Sequence, residues 1–207
     1  MTQAQALSTA HCSVFIATSL DGFIARPDGA IDWLTGADAA DNAGEDYGYA
    51  AFLSSVDAIV MGRASLEKVL TFDAWPYGQM PVYALSSSLR ALPAKAPGSV
   101  SLLDAEPAAV AALAARNGHG RLYVDGGVTI QRFLRAGLIR DMVITTVPVL
   151  LGAGRRLFGP LAADVALDLT DSRAYANGLV QSRYKVRHGA GEAAAAGGAP
   201  GRGPGHG

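Results

Sequence analysis

A single cysteine in 207 residues, Cys12, rules out an internal disulfide and suits a reducing compartment. Set in the first apolar run, it reads as a small hydrophobe rather than a nucleophile. The same scarcity excludes a zinc-dependent base deaminase, whose His-x-Glu and Pro-Cys-x-x-Cys pattern needs a pair of cysteines. His11, His119, His188 and His206 are scattered without ligand spacing, so no metal site is expected. Charge is scarce too. Only 17% of residues are charged and they balance to −1, which leaves no basic footprint for nucleic acid and no acidic tail. No apolar stretch approaches the roughly 20 residues of a membrane span. The first eleven residues have neither a basic start nor an apolar run, so no signal peptide is expected and the location reads as cytoplasmic.

What the chain does have is apolar residues, half of the total, enough for one sizeable core. Residues 1–10 are expected to be a flexible N-terminus and 11–188 one domain. Residues 189–207, rich in Gly, Ala and Pro, bury too little to offset their ordering entropy and are expected to be disordered. Apolar, β-branched runs predict strands at 12–18, 57–61, 81–85, 99–103, 121–124, 139–147, 164–170 and 179–186. Helical periodicity covers 45–54, 64–70, 106–116 and 128–136. Asn177-Gly178 marks a hairpin between the last two strands. Early strands alternate with helices and late strands pair, which predicts an α/β fold: a mixed, mostly parallel sheet flanked by helices, with a C-terminal antiparallel hairpin.

Three strand ends carry the chemistry. Val60-Met61-Gly62-Arg63-Ala64-Ser65, Leu85-Ser86-Ser87 and Val124-Asp125-Gly126-Gly127-Val128-Thr129 each run from an apolar strand into small, hydroxyl-bearing or basic residues. Strand ends of an open α/β sheet are where nucleotides bind, and helix starts offer N–H groups to phosphate. Arg63 with Ser86 and Ser87 supplies the cation and hydroxyls that a 2′-phosphate needs, with no carboxylate for a ribose diol at 84–90. NADPH is therefore expected over NADH. Gly126-Gly127 allows close approach of a pyrophosphate. For Ser65 and Thr129, helix capping and phosphate contact are both open.

With Ile16-Ala17-Thr18-Ser19-Leu20-Asp21-Gly22-Phe23-Ile24-Ala25, Ala136-Gly137-Leu138-Ile139-Arg140-Asp141, Val147-Pro148-Val149-Leu150-Leu151-Gly152-Ala153-Gly154 and Asn177-Gly178-Leu179-Val180, these motifs resemble the dihydrofolate reductase-like superfamily. They are most similar to its bacterial branch with the riboflavin-pathway pyrimidine reductase domain, over about residues 12–187. The resemblance implies a cofactor set of Ala17, Leu20, Asp21, Gly62, Arg63, Ser65, Leu85, Ser86, Ser87, Val124, Gly126, Gly127, Val128 and Thr129, with a Gly126–Gly127 bond that is often cis. It places Asp46 as the catalytic carboxylate, with Glu45 or Asp38 as alternatives and a pKa raised by burial. It makes Thr145 a supporting hydroxyl. Ser19 and Trp33 would face the substrate. Where folate-using members carry an arginine, this chain has Met80, which disfavours dihydrofolate. Arg155 and Arg156 read equally as contacts for a substrate phosphate or as a solvated turn.

The expected activity is hydride transfer from NADPH to a pyrimidine, pterin or related heterocycle, with the riboflavin-pathway reductase step as first candidate. The alternatives are a non-catalytic dinucleotide-binding protein and a specialised reductase of a secondary pathway. The resemblance also implies a homodimer, with strands 139–147 and 179–186 as candidate interface.

Overall fold

Strand β3, Ala58–Gly62, is apolar throughout because both of its faces are covered. Ala58 and Val60 point into one hydrophobic cluster, Ile59 and Met61 into another on the opposite face. In the computed structural model, which describes residues 9–35 and 45–188, this strand lies inside an eight-stranded sheet. The expectations for residues 1–8, for 189–207 and for Asp38 fall outside the described residues.

Numbered along the chain, the strands are β1 (His11–Ser19), β2 (Phe23–Ala25), β3, β4 (Val82–Leu85), β5 (Val100–Leu103), β6 (Arg121–Asp125), β7 (Ile139–Val147), β8 (Arg155–Arg156), β9 (Leu167–Ala174) and β10 (Val180–Val186). The large sheet runs β5-β4-β3-β6-β1-β7-β10-β9. It is parallel from β5 to β7, then antiparallel across β7-β10-β9. The helices are α1 (Asp32–Thr35), α2 (Tyr49–Ser54), α3 (Arg63–Val69), α4 (Pro107–Arg116) and α5 (Gly127–Arg135). Helix α5 buries Thr129, Ile130, Phe133 and Leu134, a stripe at helical spacing. Ile130 and Phe133 join Val110 and Ala114 of α4 over one face of the sheet, while Phe52 of α2 and Leu66 of α3 cover the other.

The expected mixed sheet and C-terminal hairpin are present. Tyr175 N–H donates to Leu179 O and Gly178 N–H to Tyr175 O, with Gly178 at φ 83°, closing the β9–β10 turn. Differences are local. The helix expected at 45–54 starts only at Tyr49, because Tyr47 (φ 55°) and Gly48 (φ 80°) turn the chain left-handed just before it. The strand expected at 164–170 is β9, shifted to pair with β10. β2 and β8 pair with each other in a small second sheet that periodicity did not reveal. The Gly126–Gly127 bond is trans; no cis peptide occurs among the described residues. β7 and β10, the expected interface strands, are inner strands of the sheet, whose edges are β5 and β9; Leu167 and Leu169 of β9 are exposed.

Candidate active site

Parallel register brings the functional strand ends together. Gly62 pairs with Leu85 and Met61 with Asp125, so β3, β4 and β6 end side by side. Above them opens a cleft of about 1150 Å³, walled by Ala17, Ile24, Gly62, Arg63, Ser65, Leu85, Gly126, Gly127, Val128 and Thr129. Phe15, Asp46, Tyr47, Tyr49, Tyr77, Tyr123, Asp125 and Thr145 also line it. The expected cofactor residues are thus largely brought to one cavity. Three are not. Val124 is wholly buried in the core, and Ser86 and Ser87 sit past Leu85 outside the cleft lining. The Ser86 hydroxyl oxygen accepts from Ser88 N–H at 3.2 Å and Leu89 N–H at 2.9 Å, which closes the turn after β4.

The glycines serve contacts inside the protein as well as access. Gly126 has φ 86° and ψ 135°, and a Cβ there would run into Ser65 Oγ. A Cβ on Gly127 would lie 2.9 Å from Ile24 Cδ1 and 3.0 Å from Arg156 O. Gly62 and Gly126 are the N-caps of α3 and α5 and neither helix has a side-chain cap, so Ser65 and Thr129 do not cap. Thr129 instead lies close to Gly62, where a Cβ would stand 2.9 Å from its hydroxyl. Ser65 bonds Asp125. Arg63 is exposed, 3.7 Å from Glu67. Arg155 and Arg156 border the same cleft, and Gln131 of α5 donates to Arg156 O at 3.1 Å. That puts these arginines beside the start of α5.

On the other side the expectations need correction. Ser19, Leu20 and Asp21 do not line the cleft. Asp21 clamps the following loop, accepting from Leu151 N–H at 3.1 Å and Gly152 N–H at 2.7 Å. With the Ser19 hydroxyl as the main cause, these bonds lower its pKa to about 2. Ser19 is buried and also accepts from Phe23 N–H at 3.0 Å, so it is a turn-builder. Leu20 points outward, 65% exposed. Trp33 packs in a small cluster with Val147 and Leu179 and is a core plug. Thr145 does line the cleft. Its hydroxyl accepts from Gln181 Nε2 at 3.1 Å, and Gln181 also donates to Tyr47 O at 3.0 Å.

The two acids of the cleft reverse the expected order. Asp46 is exposed and its carboxylate accepts Ala50 and Gly48 N–H at 2.8 Å each. Those backbone bonds, Ala50 first, lower its pKa, the opposite of the rise expected for a proton donor. Glu45 is engaged similarly, accepting Tyr47 N–H at 3.0 Å. Asp125 behaves as Asp46 was expected to. It is half-buried at the end of β6, and desolvation raises its pKa against the opposing bonds from Ser65, Tyr123 and Gly126 N–H. The sequence did carry a signal for it: an acid closing an apolar strand just ahead of two glycines, overshadowed there by the glycines. Among the described residues no group of three His, Cys, Asp or Glu could hold a metal, and no helix is long and apolar enough to cross a membrane.

The model of the family described as RibD C-terminal domain matches residues 10–181. The uncharacterized protein YwjB of Bacillus subtilis is 32% identical over 174 residues, 83% of this chain and 95% of its own. A crystal structure from Shewanella sp. PV-4, described provisionally as a riboflavin biosynthesis protein, is 40% identical with a TM-score of 0.80, covering 86% of this chain and 99% of that one. Acinetobacter baumannii RibD shares the fold at 18% identity, with a TM-score of 0.69 over 89% of this chain and 60% of its own.

Proposed function

The chain belongs to the RibD C-terminal domain family, a family of reductases with the dihydrofolate reductase-type fold, and from that premise we propose that it is an NADPH-dependent reductase. Its substrate is a pyrimidine, pterin or related small heterocycle. The 5-amino-6-(5-phosphoribosylamino)uracil reductase step of riboflavin biosynthesis is the first candidate. The observation that carries the reading is one cleft with a cation and two helix starts at one set of strand ends and a shielded acid, Asp125, among them. At about 1150 Å³ it exceeds the ~300–1,000 Å³ of ordinary small-ligand sites, leaving room for a dinucleotide and a second small molecule.

The donor set fits the cofactor. Arg63, beside the end of β4, would hold the 2′-phosphate, while Ser86 and Ser87 lie outside the cleft lining. The start of α5 and its neighbours Arg155 and Arg156 suit the pyrophosphate. Bound NADPH supplies a hydride. The chain supplies position, exclusion of water and a proton. Asp125, holding its proton to a higher pH than an ordinary aspartate, would give that proton to the substrate heteroatom. Thr145, oriented by Gln181, offers a hydroxyl to the same substrate. Met80 packs against the cluster under β3 and β4, where it offers no cation to a glutamate tail, which disfavours dihydrofolate as the substrate.

The protein works in the cytoplasm as a homodimer, with the free β9 edge and its exposed leucines as the pairing surface. Single-turnover oxidation of NADPH, with a panel of pyrimidine, pterin and flavin-precursor rings, tests the activity. Oxidation with one ring supports it, and none with any ring would overturn it. A concentration-independent monomer mass in light scattering would remove the dimer.

A further inference from the structure

A buried amide stands where β1, β7 and β10 meet the cleft, and every bond it makes has a defined direction. Ala17, Thr145 and Gln181 lie opposite one another in register across these strands, so their side chains share one face of the sheet. Ala17 and Thr145 line the cleft, whereas Gln181, 4% exposed, lies outside the lining. Gln181 Nε2 donates to Thr145 Oγ1 at 3.1 Å and to Tyr47 O at 3.0 Å. Its Oε1 accepts from Arg183 Nη2 at 3.4 Å. A backbone carbonyl only accepts and a guanidinium only donates, so these partners fix which end of the amide is which. Both N–H groups of Gln181 are spent.

Thr145 is the group this arrangement polarises. Its oxygen already receives a proton from Gln181, so its own proton cannot go into that bond. Among the described residues no other atom accepts it. The Asp46 carboxylate, the expected partner of this hydroxyl, takes Gly48 and Ala50 N–H instead. Thr145 is 5% exposed and borders the cleft, which leaves an atom in the cleft, water or ligand, as the acceptor. The second N–H of Gln181 holds Tyr47, whose backbone is left-handed at φ 55° and which also lines the cleft.

We infer that Gln181 is a positioning residue that makes Thr145 a hydrogen-bond donor to the substrate, and so selects rings that bring a carbonyl oxygen or an unprotonated nitrogen to β7. The inference rests on the cleft being the substrate site of the reductase proposed above. A ring that brings carbon or only N–H groups to this wall leaves the Thr145 proton unpaired in a place shielded from water, and is disfavoured for that reason. Gln181 itself touches no ligand; it acts through the lone pair it occupies.

Equilibrium dialysis of the full chain with NADP+ present, using quinoxaline and naphthalene as probes, tests this. The two rings share a shape, and only quinoxaline carries acceptor nitrogens. The quantity read is the ratio of their Kd values on one protein, so a general loosening of the site cancels. Thr145→Val should shift the ratio against quinoxaline roughly 3- to 12-fold, the loss of one neutral hydrogen bond, and Thr145→Ser should keep the wild-type ratio. Gln181→Glu, whose carboxylate takes the Thr145 proton, should shift it about as far as Thr145→Val. Gln181→Met frees the hydroxyl to turn and should shift it less, in the same direction. Because Gln181 acts through Thr145, adding Gln181→Met to Thr145→Val should change the ratio no further. A ratio that Thr145→Val leaves unchanged, one that both Gln181 variants leave at the wild-type value, or shifts that add in the double variant would each overturn the inference. So would wild-type protein that binds neither ring. Failure of the reductase reading looks different: NADPH stays unoxidised with every ring while the ratio still shifts.

Discussion

The two walls of the cleft are built by different means. One consists of the ends of β3, β4 and β6 with the starts of α3 and α5, where parallel register fixes every position from the core. The other comes from β1 and β2, the loop into α1, and Asp46 and Tyr47 ahead of α2, backed by side-chain clamps onto backbone N–H groups. The acids follow their walls. Asp46 and Asp21 serve as local clamps and are held ionised by the N–H and O–H groups they accept. Asp125, at a strand end in apolar surroundings, is pushed toward its neutral form. Position on a rigid, desolvated element converts a carboxyl from a structural tie into a proton donor.

Exchanging the acids tests this contrast most severely. Asp125→Asn should lower turnover by roughly 10²–10⁴-fold, the range for a lost general acid, and leave NADPH affinity near the wild-type value. Asp46→Asn should change turnover by no more than a few fold. Steady-state rates with the best ring from the screen decide. The reverse ranking would return the chemistry to Asp46.

The strand-end wall should also set cofactor choice. Arg63→Ala is expected to weaken NADPH by about 1.5–3 kcal/mol, the value of a charge-assisted bond, with little effect on NADH. Nicotinamide fluorescence titration measures both. Equal losses would mean that Arg63 does not meet the 2′-phosphate.

Backbone geometry on the same wall makes a third comparison. Gly126→Ala places a Cβ against Ser65 Oγ in a backbone region open to little but glycine, and should cost about 1–3 kcal/mol. Gly137→Ala, at φ 67° after α5 with open space around it, should cost less. Thermal denaturation of the two variants gives the ranking. A smaller loss at Gly126 would show that the β6–α5 junction yields more easily than its packing suggests.

The strand-end wall was legible in the sequence and the clamped wall was not, for a physical reason. Alternation, glycine and a basic residue at a strand end are local patterns, so Gly62, Arg63, Leu85, Gly126 and Thr129 could be placed on the cleft before the chain was folded. Whether Trp33 faces the cleft or Val147, and whether Ser19 meets a ligand or the Phe23 N–H, depends on how loops pack, which no short pattern encodes. The family resemblance reached the cleft at Asp46 but could not tell that its oxygens are spent on Gly48 and Ala50. Gln181, which orients Thr145 from a strand distant in sequence, carried no local signal. Asp125 did carry one, and it lay inside a motif read for its glycines.

The smallest expected effect is a pH dependence of stability whose sign differs between the walls. Asp21 has a folded pKa of about 2, below its unfolded value of about 4. Its contribution is fully present above pH ~4 and is lost as pH falls through the folded value. Asp125 has the opposite displacement. Its neutral form is favoured in the folded state, so its contribution is fully present below the unfolded pKa and is lost as pH rises through the folded one. Relative to wild type, Asp21→Asn should therefore lose its deficit as pH drops from about 4 toward 2. The Asp125→Asn deficit should instead be largest near pH 4 and shrink as pH rises. Whatever constant penalty the asparagine brings, it cancels in the slope. Denaturant midpoints across pH, each variant against wild type, read those slopes directly. Slopes of the same sign would mean that Asp125 is ionised like Asp21, and the proton proposed for the substrate would have to come from elsewhere.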